Sequence, residues 1–580
     1  MLLILISRSR WPGKQSAVDS IAMRRSRLER WIRIAAILAL CSAAGAKDSS
    51  STSTQSHNPT PVREADVICS KCHQDIFRKY LSTPMANASG LASDRMFTGG
   101  FHHAPSGIEY QVSDRDGSLW LSYSRLRDSG LEGSQKLDYF LGSGHLGITY
   151  LYTINGYLLE SPVAFYAQSQ AYDMKPGLAD LRTLPSALPM TRGCMRCHMS
   201  GVQREDPGTR NHFQGLPFLH GGITCESCHG DTNAHVVSSG KAPVINPVKL
   251  DPERRDSVCI SCHLESDSRI EHAGREVDDY KPGERIADYI SYFVYARENM
   301  MNRGVSEIEE LSLSKCKRVS GDRMSCMDCH DPHYSPPAEE RAAFYRSKCL
   351  ACHKVAKYST SHFSNDPDCT GCHMPKGNVE KLPHIAWTDH RIRQNPDPHE
   401  TSESSQADRE LVPFLQEKTS QRDLALAYYD LAGNASRAGR AWTQLLTAKK
   451  SDPHDLQVLT ALGYLADTRG NSPLATELYR EALKLDPIDV TATNNLAILL
   501  AKAGQLTAAE NLWRKTFDLN EDIDELGINL ALVECMLGNK NAAQQVLQRV
   551  SLYSPDQKLA RRKLQAIQSG QETCAAPGLQ

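Results

Sequence analysis

The spacing of apolar residues divides the chain into regions with different predicted structures. Between residues 108 and 166, apolar and polar residues alternate in IEYQVSDRDGSLWLSYSRL and GITYLYTINGYLLESPVAFY. This period is typical of half-buried β-strands. The two stretches are interrupted at Asp116-Gly117 and Asn155-Gly156, dipeptides that favour tight turns. The pattern therefore predicts two β-hairpins in an insertion at about residues 105–170.

Beyond residue 422 the period becomes helical, and the pattern repeats every 34 residues. Glycine, alanine and proline recur in this frame: Gly470, Gly504, Gly538; Ala441, Ala475, Ala509, Ala543; Pro453, Pro487, Pro555, with Glu521 in the remaining proline position. The repeat resembles the tetratricopeptide repeat, which implies an α-α superhelix over residues 422–570. Such a stack offers a concave surface for a protein partner. The alternatives are that it only extends the fold or dimerises the protein.

Two polar stretches and an apolar one mark the remaining boundaries. An arginine-rich start, the apolar run Ile34–Leu40 and the Ala44-Gly45-Ala46 site predict a signal peptide over residues 1–46, with Met23 as an alternative start. The apolar run is shorter than the roughly 20 residues that span a membrane. Residues 47–62 are predicted to form a flexible leader, and residues 395–421 a linker. The segment between them covers residues 63–394 and contains the paired cysteines described next.

Fourteen of the 18 cysteines fall in C-x-x-C pairs, and each pair is followed directly by histidine. The seven motifs, numbered 1 to 7 in chain order, are Cys69/Cys72/His73, Cys194/Cys197/His198, Cys225/Cys228/His229, Cys259/Cys262/His263, Cys326/Cys329/His330, Cys349/Cys352/His353 and Cys369/Cys372/His373. Two thiols at this spacing bond the vinyl groups of one porphyrin, and the adjacent imidazole binds its iron. Zinc sites and disulfides also use paired cysteines, but neither explains the fixed histidine. The sequence therefore predicts seven covalently bound haem c groups within residues 63–394, which we call the cytochrome segment.

Seven haems within one segment predict an unusual fold, because porphyrin faces would supply much of its apolar core. The expected fold class is mainly α with irregular loops: a multihaem cytochrome c domain with a small β-hairpin insertion, followed by the repeat superhelix. The formal net charge of −2 gives no sign of a nucleic-acid-binding surface. Covalent haem attachment in bacteria takes place outside the cytoplasm, so the protein is expected to be periplasmic or otherwise extracytoplasmic.

The second axial ligand of each iron separates an electron carrier from an enzyme, because an open position can bind substrate. Histidines held close to a motif are the candidate distal ligands: His235, His333, His362, His384 and His390. Within the pair His102-His103, His103 is favoured. His145, His212, His220 and His272 are held in reserve.

The stretches CSKCH, CESCHGDTNAHV, SCMDCHDPH and CTGCHMPK with a downstream DHR resemble the multihaem cytochrome c superfamily of the cytochrome c-552/c-554 type. It includes nitrite reductases and hydroxylamine oxidoreductases, and some members carry C-terminal tetratricopeptide repeats. The resemblance covers residues 67–393. It implies His235, His333, His362 and His390 as ligands, and mostly helical and irregular backbone around stacked haems. Nitrite reductases of this group have a lysine at one motif, whereas all seven motifs here end in histidine.

The leading functional hypothesis is an exported heptahaem cytochrome that transfers electrons to or from a redox partner docked on the repeats. The partner would also provide any membrane association. An alternative is a reductase or oxidoreductase of a small nitrogen or sulfur compound, of the nitrite, hydroxylamine or tetrathionate type, at one five-coordinate haem. Tyr280, Tyr289 and Tyr292 are near the motifs in sequence, but none is assigned a catalytic role. A haem-based sensor or scaffold is a minor third hypothesis.

Overall fold

The computed structural model describes most of the chain beyond residue 63. The described residues are 64–125, 128–296, 305, 307–353, 368–376, 388–394, 410–416, 418–433 and 435–571. The predicted signal peptide, the leader, His362, His384 and most of the linker lie outside them. Within these ranges, no helix combines the length and the apolar character needed to cross a lipid bilayer.

The insertion between motifs 1 and 2 contains two antiparallel sheets. Its strands are β1 Ser89–Leu91, β2 Gly99–His103, β3 Ile108–Arg115, β4 Ser118–Arg125, β5 Asp128–Lys136, β6 Tyr139–Leu141, β7 Gly147–Ile154, β8 Tyr157–Tyr166 and β9 Ala171–Met174. One sheet has the order β2-β3-β4-β5 and the other β1-β6-β7-β8-β9. Both predicted hairpins are confirmed: β3 pairs with β4 and β7 with β8. Asp116 and Asn155 adopt φ values of 53° and 49°, as their turns require.

The prediction of a mainly α cytochrome domain with a small hairpin insertion is wrong for this region. The sheets begin at Ser89 and end at Met174, beyond both predicted bounds. Ile108 and Tyr110 from one sheet share a core with Ile148 and Phe165 from the other. Because no haem motif lies in this stretch, it has to bury its own side chains, and two packed sheets do so. The strands β7 and β8 are apolar on both faces because a second core lies on their other side.

Short elements surround the remaining motifs. The helices are α1 Glu64–Ser70, α2 Gln74–Tyr80, α3 Arg192–Met195, α4 Glu226–His229, α5 Asn233–Val237, α6 Pro252–His263, α7 Glu307–Leu313, α8 Lys315–Ser320, α9 Ala338–Cys352 and α10 Cys369–His373. Two small sheets accompany them, β10 Met199–Val202 with β11 Phe218–Gly221, and β12 Ser268–Glu271 with β13 Ile290–Tyr295 and β14 Leu411–Pro413.

The repeat domain is a series of helix pairs. Its helices are α11 Gln421–Asp430, α12 Ala435–Ser451, α13 Leu456–Thr468, α14 Ser472–Leu485, α15 Val490–Lys502, α16 Leu506–Leu519, α17 Asp524–Met536, α18 Lys540–Tyr553 and α19 Lys558–Gln568. Gly470, Gly504 and Gly538 follow α13, α15 and α17 with positive φ values of 77°, 77° and 83°. Ala441, Ala475, Ala509 and Ala543 are each 0% exposed, as close approach between helices requires. The predicted helical repeat is thus confirmed.

The repeat domain packs directly on the cytochrome segment. The first helices of successive pairs, α11, α13 and α15, contact one another and form the inner layer of the stack. At the start of this layer, Asp423 accepts a hydrogen bond from Ser291 (3.1 Å), and Asp430 accepts one from Ser268 (2.9 Å). At the far end, Asp556 binds the Arg125 guanidinium through both carboxylate oxygens, at 3.1 and 2.5 Å.

Candidate haem sites

Each motif lies on a tight helical turn that brings its three side chains together. The amide of the motif histidine donates a hydrogen bond to the carbonyl of the first cysteine, at 2.9 Å for His73, 3.0 Å for His229, 2.9 Å for His330 and 2.9 Å for His353. Residues three and four positions apart in such a turn share one face. The two thiols and the imidazole therefore project toward one porphyrin-binding surface.

The motif cysteines are accessible to a cofactor. None of the fourteen is disulfide-bonded in the structure, and each is half-buried or exposed. Among the described residues, no group of three or more His, Cys, Asp or Glu side chains is arranged to bind a bare metal ion.

Apolar side chains next to the motifs are exposed. Val67 beside motif 1 is 50% exposed, Val237 on α5 is 79% exposed, and Val319 before motif 5 is 69% exposed. Apolar side chains that are exposed together on a protein surface often mark a place where a ligand or a partner binds. A porphyrin ring is a flat apolar surface of the kind that would cover them.

Three motif histidines face a second imidazole across a gap. Ring centres are 6.3 Å apart for His73 and His235, 5.9 Å for His229 and His333, and 6.2 Å for His330 and His390. A metal–imidazole bond is about 2 Å long and the ring centre lies ~1.2 Å beyond the nitrogen, so two imidazoles on one iron have centres roughly 6.3 Å apart. Each pair is therefore spaced to bind one haem iron from opposite faces.

Backbone carbonyls fix the orientation of several of these rings. The Nδ1 atoms of His229, His235 and His390 lie 2.7, 2.8 and 2.7 Å from the carbonyl oxygens of Ile245, Ala242 and Thr388. A carbonyl only accepts, so each Nδ1 carries the proton and Nε2 is free to bind metal. Burial, with smaller contributions from the charges of His390, His263 and Lys348, lowers the pKa of His330 to about 4. The neutral imidazole is the form that binds iron.

The three pairs follow one rule of connectivity. His235 follows motif 3 and faces motif 1, His333 follows motif 5 and faces motif 3, and His390 follows motif 7 and faces motif 5. In each pair, the second imidazole thus lies in the stretch of chain that follows a later motif: motif 3 supplies it to motif 1, motif 5 to motif 3, and motif 7 to motif 5. The odd-numbered motifs are interlocked by this arrangement.

Thiols of different motifs lie close enough to influence one another. A thiol of another motif, together with burial, raises the pKa of Cys225 (near Cys69, motifs 3 and 1), of Cys197 (near Cys262, motifs 2 and 4), of Cys259 (near Cys326, motifs 4 and 5) and of Cys349 (near Cys369, motifs 6 and 7). Cys228 of motif 3 interacts electrostatically with Cys259 of motif 4, and Cys329 of motif 5 does so with Cys349 of motif 6. The seven motifs therefore form one connected series, with motif 4 adjacent to motifs 2, 3 and 5.

Four predicted haem-attachment cysteines are not part of this series: Cys194 and Cys352, described below, and Cys72 of motif 1 with Cys372 of motif 7. The side chains of Cys72 and Cys372 are exposed, whereas Cys69 and Cys369 of the same motifs are half-buried. Within the described ranges, neither Cys72 nor Cys372 contacts a thiol of another motif, so the structure brings together only one predicted cysteine from each of these two motifs. The polypeptide alone therefore gives Cys72 and Cys372 no enclosed site. A thioether cysteine is covered by its porphyrin and not by protein, which is why exposure here does not exclude attachment.

The second cysteine of motif 6 and the first of motif 2 are exposed as well. Cys352 ends α9, and Cys194 lies on α3. Their exposure has the same explanation, because both would lie at the edge of a haem that protein atoms do not enclose. The sequence motif shows which cysteines are paired, but it carries no information on how deeply each of them is buried.

Comparisons with known proteins point to the same chemistry. A family model described as cytochrome c554 and c-prime matches residues 168–230, which contain motifs 2 and 3. The multiheme cytochrome MtrA of Shewanella baltica (strain OS185) is 25% identical over 177 residues, which cover 28% of this chain and 51% of MtrA. This chain thus spans about half the length of that relative. Both matches support a multihaem cytochrome c with covalently bound haem.

Solved structures that resemble this chain match about a quarter of it. A crystal structure of MamA protein is 18% identical, covers 26% of this chain and 82% of MamA, and has a TM-score of 0.24. YrrB, described as a TPR protein with an unusual peptide-binding site, is 17% identical, covers 26% of this chain and 78% of YrrB, and also has a TM-score of 0.24.

The other candidate distal ligands have different surroundings. Both ring nitrogens of His103 are hydrogen-bonded, to Ser106 Oγ (2.7 Å) and to the Ala179 carbonyl (2.9 Å). Both nitrogens of His103 thus have protein partners in this structure, an arrangement that does not favour the predicted role as a distal ligand. His102 pairs with Glu109. His362 and His384 lie outside the described residues.

Two reserve candidates are also engaged elsewhere. His212 bonds Asp206 (2.5 Å) and the Asn155 carbonyl (2.9 Å). The ring nitrogens of His272 lie 3.2 Å from the Asp288 carbonyl and 2.9 Å from Ser291 Oγ. Neither histidine therefore has a nitrogen left for iron.

Sequence reasoning missed residues that orient the imidazoles. The Tyr345 hydroxyl lies 3.3 Å from His330 Nδ1, and Asp389 holds the chain around His390 through two arginines. Tyr345 precedes motif 6 and contacts motif 5, so only the tertiary fold brings it there. Asp389 could have been found from the sequence, because it is the first residue of the DHR stretch that resembles the multihaem cytochrome c superfamily.

Proposed function

We propose that this chain is an exported electron-transfer cytochrome that binds seven haem c groups, three of them between the histidine pairs His73/His235, His229/His333 and His330/His390. The single observation that carries the proposal is the spacing of these imidazole pairs, 5.9 to 6.3 Å between ring centres. Haem supplies the one-electron redox chemistry. The protein supplies paired imidazoles, oriented by carbonyls, and an unbroken series of adjacent motifs.

The remaining proposed haem-binding residues are the thiols of all seven motifs, including the exposed Cys72 and Cys372, with His198, His263, His353 and His373. His373 Nδ1 lies 2.8 Å from the Arg393 carbonyl, which leaves its Nε2 for iron as in the paired histidines. His362 and His384 remain proposed distal ligands from the sequence.

The first test is the mass and the electron paramagnetic resonance spectrum of the oxidised protein. We expect a mass increase of seven haems, and low-spin signals that include three bis-imidazole sites. His235→Ala should convert the motif 1 haem to high spin, whereas the matched control His103→Ala should leave the spectrum unchanged, because His103 bonds only protein atoms. Fewer than seven haems, or an unchanged spectrum for His235→Ala, would contradict the proposal.

One observation favours the alternative of an oxidoreductase with an open haem. Among the described residues, His198 of motif 2 and His263 of motif 4 face no second imidazole ring, unlike the three paired motif histidines. The same spectrum recorded with nitrite, hydroxylamine and nitric oxide separates the hypotheses. A high-spin haem that binds one of these molecules would favour the enzyme, and seven unaffected low-spin haems would favour the carrier.

We also propose that a redox partner docks on the outer helices of the repeat domain. The cytochrome segment contacts the repeat domain near its two ends, at Asp423 and Asp430 on α11 and at Asp556 after α18, and these contacts leave α12, α14 and α16 accessible to a partner. Lys450, Lys484 and Lys515 are exposed, one on each of these helices. A triple Lys→Glu variant should weaken binding of an acidic partner and leave the haem spectrum unchanged. Equal binding by the variant, measured by cross-linking in the native extract, would refute this surface.

A further inference from the structure

A short segment after motif 7 contacts two motifs at once. Residues 388–393 run beside residues 373–376, joined by an isolated bridge between Thr388 and Lys376. The amide of Asp389 donates to the Pro375 carbonyl (3.1 Å), and the amide of Arg393 donates to the His373 carbonyl (3.2 Å). We call residues 388–393 the clasp.

The clasp presents a different group to each motif. His390 faces His330 of motif 5, with ring centres 6.2 Å apart. Three residues later, the Arg393 carbonyl lies 2.8 Å from Nδ1 of His373 in motif 7. One six-residue segment therefore holds the second imidazole of one motif and the hydrogen-bond acceptor of another.

Asp389 holds the clasp in shape. Its side chain is 0% exposed. One carboxylate oxygen accepts from Arg391 Nε (2.8 Å), and the other accepts from Arg391 Nη2 (2.8 Å) and Arg393 Nε (3.2 Å). On the opposite side, the buried Glu310 on α7 accepts the His390 amide at 2.8 Å. A buried carboxylate with two guanidinium partners fixes the backbone between them, because charge-assisted bidentate bonds restrict geometry strongly.

We infer that Asp389 is a positioning residue for two haems at once, setting the distal imidazole of the motif 5 haem and the hydrogen bond to the proximal imidazole of the motif 7 haem. This inference rests on the proposed pairing of His330 with His390. An acceptor on Nδ1 makes an imidazole a stronger donor to iron, which favours the oxidised state. Loss of the Arg393 contact should therefore raise the potential of the motif 7 haem.

The test compares Asp389→Asn with the wild-type protein by spectropotentiometry and electron paramagnetic resonance. Asparagine keeps the shape of aspartate, but its side-chain nitrogen donates hydrogen bonds and cannot accept them. The side chain can therefore no longer accept from the guanidinium groups through both of its terminal atoms. We expect a high-spin signal equal to one haem, a shift of one other midpoint potential to a more positive value, and five unchanged haems. Asp389→Glu should restore both properties in part. Asp322→Asn, at an exposed carboxylate, is the matched control and should change neither.

Two outcomes would overturn the inference. The first is that the Asp389→Asn protein carries seven haems and has wild-type spectra and potentials. The second is an equal shift of all seven potentials, as a generally loosened fold would give.

If the Asp389→Asn variant does not accumulate, Arg393→Lys provides the test, because it keeps the charge and loses the guanidinium contact. Only the potential of the motif 7 haem should then shift. His390→Ala separates this inference from the proposed function: if its spectrum equals that of the wild type, the ligand assignment itself is wrong.

Discussion

In the repeat domain, side chains fill the core: Trp513, Leu445 and Ala441 are all 0% exposed. In the cytochrome segment around the motifs, Val237 and Val319 are mostly exposed, and most of the described helices there, apart from α6 and α9, are short. The insertion, which has no motif, resembles the repeat domain in having a core of its own. Among the described residues, the most exposed large apolar side chains are Val237, Val248 and Val319, at 69% to 79%, and they lie where haem is expected, whereas those of the repeat domain are at most 51% exposed. The two regions should therefore differ in how they depend on the cofactor.

The largest expected effect is that of haem removal. Protein made without haem attachment should lose ordered structure around the motifs, because ligation energy contributes to folding there. The repeat domain and the insertion should keep theirs. Limited proteolysis with mass spectrometry checks this, and protected fragments should contain residues 421–568 and 89–174. Protection of residues 225–263 in the haem-free chain would contradict the contrast between the regions.

A core substitution in the repeat domain should destabilise that domain and leave the haem sites unchanged. Trp513 is fully buried and donates a hydrogen bond from Nε1 to Asn494 Oδ1 at 2.7 Å. Trp513→Ala should lower the free energy of unfolding of the repeat domain by about 3–5 kcal/mol, since it leaves a large cavity. Denaturant titration followed by circular dichroism measures this, while the haem absorption spectrum should stay unchanged at low denaturant. Lys515→Ala, on the same helix and exposed, is the control.

A smaller effect is expected where the two regions meet. Asp556 accepts hydrogen bonds from Arg125 and from the Leu184 amide (2.8 Å), and it is 3% exposed. Asp556→Asn should cost about 1–3 kcal/mol of stability, because the half-buried Arg125 loses an ionic partner. The measurement is the separation between the melting temperatures of the two regions in a calorimetric scan. A single unchanged transition would show that this contact does not couple them.

The smallest expected effect concerns one imidazole. His330 Nδ1 lies 3.3 Å from the Tyr345 hydroxyl, whereas His229 and His373 have a backbone carbonyl at 2.7 and 2.8 Å. Tyr345→Phe removes this acceptor and should shift one midpoint potential to a more positive value, with no change in stability. Tyr334→Phe, whose hydroxyl bonds Glu340 at 3.0 Å, is the matched control. Equal titration curves for both variants would show that the Tyr345 contact has no influence.

Local patterns were the features that sequence could predict. The Asp-Gly and Asn-Gly turns, the 34-residue frame and the position of His235 each depend on residues near one another in the chain. The extent of the two sheets was missed because the short strands β1, β2, β6 and β9 have little pattern of their own. The contact between Arg125 and Asp556 joins residues 431 positions apart, so no local signal exists for it. The contact of His103 with the Ala179 carbonyl was hidden for the same reason, since the two residues lie 76 positions apart.

The downstream origin of the second imidazole has a consequence for biogenesis. A chain that crosses a membrane from its amino terminus delivers motif 1 before His235, motif 3 before His333 and motif 5 before His390. Under the proposed ligand scheme, each of these cofactors would be attached while one of its faces is still open. Closure would then proceed from the amino terminus toward the carboxyl terminus, each step waiting for the arrival of a later stretch of chain. Completion of the motif 5 site would come last of the three, when residues 388–393 reach it.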